Sequence, residues 1–69
     1  MKTNPFEGLK DYQLFLYREI DRYSKIAGNQ QQLSLALGHD KSYVRVIMWR
    51  DRMSGIERLW REAKKHYEH

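Results

Sequence analysis

The 69-residue chain has no cysteine. That excludes disulfide staples and cysteine-based zinc sites, the devices on which small secreted or metal-dependent domains most often rely. A reducing, cytoplasmic setting is the expectation. Long apolar runs are also missing. The longest is Leu14-Phe15-Leu16-Tyr17, against the roughly 20 residues that a membrane helix needs. Met1-Lys2 leads into polar residues instead of a signal-peptide core, so the chain is expected to be neither exported nor membrane-bound. No alternating apolar and polar segment is flanked by hairpin dipeptides, and there is no internal repeat or low-complexity linker, so no sheet is expected. Nor do a nucleophile, a base and an orienting group occur together, and no glycine-rich phosphate loop exists. A non-enzyme without cofactor or small-molecule substrate follows. His66 and His69 share a helix face, but no third ligand accompanies them, so no metal site is expected.

What remains is helical periodicity. A chain this short buries only about 60% of its unfolded surface, so a single all-α domain over residues 1–69 with a small core is expected. Pro5 and Gly8 punctuate the start, and Leu9, Tyr12, Leu16, Ile20, Tyr23 and Ala27 then recur at steps of three and four, the spacing of one helix face. Gly28 is a natural stop, and Asn29 with Gln32 offers a capping pair for a second helix from Gln30 toward Gly38. Asp40 suits the cap of a third helix starting at Lys41, with Val44, Ile47 and Met48 on its inner side. Ser54 and Glu57 form a capping-box pattern for a fourth helix, whose stripe is Ile56, Leu59, Trp60, Ala63 and Tyr67. The fold class predicted is a small four-helix domain.

Charge is distributed unevenly. Thirteen Lys and Arg against nine Asp and Glu give +4 overall. The first 28 residues are nearly balanced, whereas beyond Lys41 the cations Lys41, Arg45, Arg50, Arg52, Arg58, Arg61, Lys64 and Lys65 face only Asp51, Glu57 and Glu62 before the last residues. A positive surface of this kind suits a polyanion.

The stretch from Gln30 to Trp49 reads as two short helices with a tight turn at Gly38. Leu33 and Leu37 are placed to meet Val44 and Ile47, and the small Ser34 lets the backbones approach. This segment resembles the helix-turn-helix of the phage repressor and Cro type, whose usual order is Gln, two variable residues, Leu-Ala, two variable residues, Leu-Gly and then a capped helix with a buried Val and Ile. The resemblance covers some twenty residues. Ser34 stands where the family usually has alanine and His39 where it usually has an apolar residue, and the chain continues helix-like past Ile47.

The resemblance implies a regulator that binds double-stranded DNA as a homodimer on paired operator half-sites, acting as a phage or prophage repressor. The base-reading positions of the family fall on Lys41, Ser42 and Val46, flanked by Arg45 and Trp49. Lys41 or Arg45 suits guanine, Ser42 a base or a phosphate, and Val46 a thymine methyl. Trp49 is open between stacking on the DNA backbone and folding into the core. Gln30, Gln31, Tyr43, Arg50 and Arg52 are the expected phosphate contacts. Leu14 and Tyr17 lie off the main stripe of the first helix, and with Trp60 and Tyr67 they are candidates for the dimer interface. The competing reading is a protein-binding module, an anti-repressor or host-factor inhibitor, that docks through the surface around Leu14, Tyr17 and Trp49.

Overall fold

The computed structural model describes residues 5–68, with side chains from residue 11 onward. The described chain is all-helical, with four helices: α1 (Pro5–Ala27), α2 (Gln30–Ala36), α3 (Tyr43–Arg50) and α4 (Met53–Tyr67). The small four-helix domain predicted above is therefore present. Leu9, assigned to the first apolar stripe, falls where side chains are not described, and His69 lies outside the described residues.

Pro5 occupies the first helical position, where its missing N–H costs nothing because that group has no intrahelical acceptor anyway. Gly8 does not interrupt the helix as its punctuating role suggested. One glycine costs about 1 kcal/mol relative to alanine, too little to break a 23-residue helix with a packed face. The helix ends at Gly28, whose φ of +126° lies in the region that favours glycine.

Leu16, Ile20 and Tyr23 of α1, Leu33 of α2, Val44 of α3, and Ile56, Leu59 and Ala63 of α4 are fully buried in one cluster. The α1 residues follow one face at steps of four and three. Helix α1 lies against both α2 and α4, and α3 bridges α2 to α4. Every helix thus contributes to one core, with the shortest two presented side by side.

The capping box at the start of α4 does not form. Helix α4 begins two residues earlier, at Met53, with Arg52 instead of Ser54 at the cap position and no side-chain cap bond. The Glu57 carboxylate instead accepts a 2.6 Å hydrogen bond from the Tyr12 hydroxyl across the α1–α4 contact. A tertiary partner has taken the side chain that local patterning assigned to the backbone. At the opposite end, Tyr67 stacks on Tyr23 with centroids 5.7 Å apart. The Glu68 carboxylate accepts from the Tyr23 hydroxyl and from Arg22, the latter at 2.7 Å. Those two bonds hold the Glu68 carboxyl below its ordinary range. Burial, and then the bond to Glu68, push the Tyr23 phenol up to about 12.

Three of the four side chains expected at a dimer interface are absorbed by the monomer. Tyr17, Trp60 and Tyr67 are partly buried against the core. Only Leu14 remains outward, at 48% exposure, and it is joined by Phe15 at 46%. Phe15 meets the Trp60 ring edge-to-face at 5.8 Å. The packing of α1 on α4 accounts for Trp60 and Tyr67, whose rings meet Phe15 and Tyr23 of α1.

Candidate nucleic-acid interface

Helix α2 is started by Asn29, which has extended backbone and whose side-chain oxygen accepts from the Gln32 amide at 2.9 Å. The expected capping pair is therefore made through the Gln32 backbone. After seven residues the helix closes. The Gly38 amide donates to Leu35 O and the His39 amide to Ser34 O, both at 3.0 Å, with Gly38 at φ +81°. This is a left-handed turn of the type that ends many helices.

The next helix begins two residues later than Asp40 capping predicted. Lys41 and Ser42 form a turn, and α3 starts at Tyr43. Asp40 organises that turn by two routes. Its carbonyl accepts from the Tyr43 amide at 2.9 Å. Its carboxylate oxygen Oδ2 accepts from both the Ser42 amide (3.1 Å) and the Ser42 hydroxyl (2.5 Å). The local bonding of an Asx turn has displaced the first helical turn. Helix α3 is eight residues long and ends at Asp51, which adopts φ 57°. The continuation past Ile47 suggested by the sequence amounts to three residues, Met48, Trp49 and Arg50. Gln13 of α1 holds the Asp51 carboxylate with a 2.6 Å bond from Nε2.

The two short helices meet as the apolar spacing required, with Leu33 and Val44 fully buried and Leu37 and Ile47 packed against the cluster. Ser34 does more than leave room. Its buried hydroxyl donates to Gln30 O at 2.9 Å and accepts from the Val44 amide at 2.9 Å. The second bond crosses from α2 to α3 and satisfies an amide in the first turn of α3 that has no acceptor in its own helix. A serine at a position of required smallness is the signal that could have revealed this link.

His39 also has a structural partner. Its ring stacks on Tyr43 at 3.7 Å between centroids, and Nε2 lies 2.8 Å from one oxygen of Glu62. The other Glu62 oxygen accepts from the Tyr43 hydroxyl at 2.7 Å. Burial, followed by the Glu62 bond, raises the Tyr43 phenol to about 12. Tyr43 therefore faces α4 with its hydroxyl committed, which removes it from the phosphate contacts assigned by sequence. Its place on the inner side follows from its spacing, four residues before Ile47 on the same helix face.

The other assigned residues come together on the outside of α3. Lys41, Ser42, Arg45, Val46, Trp49, Arg50 and Arg52 are all exposed. Trp49, left open between surface and core, is 83% exposed. No acidic residue lies within α3. Among the described residues, none of Lys41, Arg45, Arg50 and Arg52 makes a salt bridge. Arg45 lines a shallow groove of about 420 Å³ with Asn29, Gln30 and Gln31. At the other end of the helix, Arg50 and Arg52 line a smaller one of about 120 Å³ with Ile47, Ser54 and Gly55. Two cations of α4 are differently placed. Arg58 lies 3.9 Å from Glu62, and Lys64 sits over the Trp60 ring at 4.9 Å.

Among the described residues no group of three metal-ligating side chains occurs, and no helix is long and apolar enough to cross a membrane. Comparison of the chain with protein-family models, curated proteins and solved structures found no match.

Proposed function

We propose that this chain is a non-enzymatic regulator that binds double-stranded DNA in a sequence-specific way, with α3 seated in the major groove. The observation that carries this reading is the outward face formed by α3 and the turn before it: exposed Lys41 and Ser42 in the turn, and exposed Arg45, Val46 and Trp49 on a helix with no acid in it. A helix with its side chains is about 10–12 Å across, which fits the roughly 12 Å width of the groove. Lys41 and Arg45 supply donors for guanine, Val46 an apolar contact for a thymine methyl, and Trp49 a flat apolar surface at the groove edge. Gln30 and Gln31, beside Arg45 in the same groove, and Arg50 and Arg52 at the far end hold phosphates on either side. The resemblance of residues 30–49 to the phage repressor and Cro type supports the same placement. It also favours a homodimer on two half-sites about one helical turn apart, with exposed Leu14 and Phe15 as the apolar patch available for pairing.

The test is affinity for duplexes selected from a random pool, measured across a salt series. The logarithm of the affinity should fall linearly with the logarithm of salt concentration, with a slope of about −0.9 for each phosphate neutralised. Arg45→Ala should lose about 1–3 kcal/mol of discrimination at one base pair. The exposed Leu14, Phe15 and Trp49 favour the alternative of a protein-binding module. Absence of any enriched duplex, together with salt-insensitive capture of a protein that depends on those three side chains, would replace the DNA reading with that one.

A further inference from the structure

Ser42 stands at the entrance to α3, exposed, one helical turn before Val46 on the same side. Its hydroxyl has one proton and two lone pairs. The 2.5 Å separation from Asp40 Oδ2 fixes where the proton is. An ionised carboxylate offers only lone pairs, so the hydrogen between the two oxygens belongs to Ser42. Asp40 is ionised well into the acid range, since its two bonds from Ser42 hold its carboxyl below the ordinary value. The Ser42 amide is committed to the same oxygen at 3.1 Å. The residue thus reaches the outside with no donor left, and with unused lone pairs next to a negative charge.

A phosphate diester presents only acceptors and carries a negative charge of its own, so this pair repels it. In the major groove the hydrogen-bond donors are the exocyclic amines, N6 of adenine and N4 of cytosine. We infer that Ser42 reads a base and not the backbone: it accepts a hydrogen bond from an exocyclic amine in the major groove, with Asp40 as the positioning residue that holds its hydroxyl in the accepting orientation. The inference rests on the DNA-binding reading above and narrows it to one kind of base contact. It leaves Lys41 and Arg45 as the donors facing guanine, so the reading face is divided between an accepting entrance and a donating flank.

The experiment uses the wild-type full chain and its selected duplex. Each adenine is replaced in turn by a purine nucleotide lacking the N6 amine, and each cytosine by a pyrimidinone lacking the N4 amine. Binding should weaken about tenfold at one position per half-site, the scale of one net hydrogen bond, and the analogue responsible tells adenine from cytosine. Ser42→Ala should weaken binding to the intact duplex by a similar factor and show no further loss on that analogue. Asp40→Ala removes the oxygen that accepts both Ser42 bonds and so frees the hydroxyl to donate, and its preference for the amine-bearing base should shrink. Undiminished wild-type binding to every amine-less duplex would overturn the inference while leaving DNA binding intact. So would a Ser42→Ala loss that is equal on selected and unrelated duplexes, the mark of a phosphate contact. Failure to bind any duplex at low salt would instead remove the DNA-binding reading itself.

Discussion

The bond between Ser34 and the Val44 amide permits an internally controlled measurement. Two serines are buried, Ser24 at 4% and Ser34 at 0% exposure. Each donates its hydroxyl to the carbonyl four residues back, Ser24 to Ile20 at 2.8 Å and Ser34 to Gln30 at 2.9 Å. Those carbonyls lie in helices, where backbone amides also serve them. Removing Oγ from Ser24 therefore strands nothing, and alanine is the better helix former by about half a kcal/mol. Ser24→Ala should be neutral or slightly stabilising. Ser34→Ala makes the same chemical deletion but leaves the Val44 amide buried without its 2.9 Å acceptor. An unsatisfied buried donor costs about 1–3 kcal/mol; after the gain in propensity, a net loss of about 1–2 kcal/mol is expected. In a domain of 60–100 residues each kcal/mol shifts the midpoint of thermal unfolding by about 4–8 °C. Urea unfolding followed by circular dichroism gives both values, and native-state hydrogen exchange should show the Val44 amide losing protection selectively in Ser34→Ala. Equal stability of the two variants, with Val44 exchange unchanged, would refute the claim that this bond ties α2 to α3.

Gly55→Ala should stabilise the protein by roughly 0.5–1 kcal/mol, because the added Cβ would meet Ile47 Cγ2 at an ordinary 3.6 Å within α4; a lowered urea midpoint would contradict this. The raised phenols of Tyr23 and Tyr43, both up to about 12, keep their protons while unfolded tyrosines ionise near 10. Unfolding then releases protons, so the stability they supply is complete below pH 10 and is lost progressively from 10 to 12. Urea midpoints taken at successive pH values should show that decline, and Tyr43→Phe should make it shallower. Trp49→Ala should change stability by less than about 0.5 kcal/mol, as for a surface site, while weakening duplex binding; a large stability loss would show that the indole belongs to the core.

The core was legible in the sequence because one period governed it. Leu16, Ile20, Tyr23, Leu33, Val44, Ile56, Leu59 and Ala63 recur at helical spacing, and all are fully buried. The two stops marked by glycine, Gly28 and Gly38, were legible for the same local reason, since each takes a positive φ. Hydrogen bonds between distant residues were not. Glu57 has an ideal spacing from Ser54 for a capping box, yet it serves Tyr12, 45 residues away in sequence. Asp40 has the right chemistry for a helix cap, but its bonds to Ser42 hold a turn there and α3 starts at Tyr43. The Tyr43 hydroxyl is taken by Glu62, 19 residues away in sequence, which removed it from the candidate interface while Lys41, Arg45 and Val46 stay outside. Reading one helix at a time offers Tyr17, Trp60 and Tyr67 for a dimer interface, and the packing of helices on one another leaves all three partly buried against the core.

Glu62 and Gln13 have a joint consequence for how the chain meets a partner. One grips the start of α3, through His39 and Tyr43, and the other grips the aspartate that closes it. With both ends tethered to longer helices, its orientation is decided before any encounter, and little segmental freedom remains to be surrendered on docking. Association should accordingly proceed as a lock accepting a finished key, and cutting either tether should slow productive capture by multiplying the poses the rod must sample.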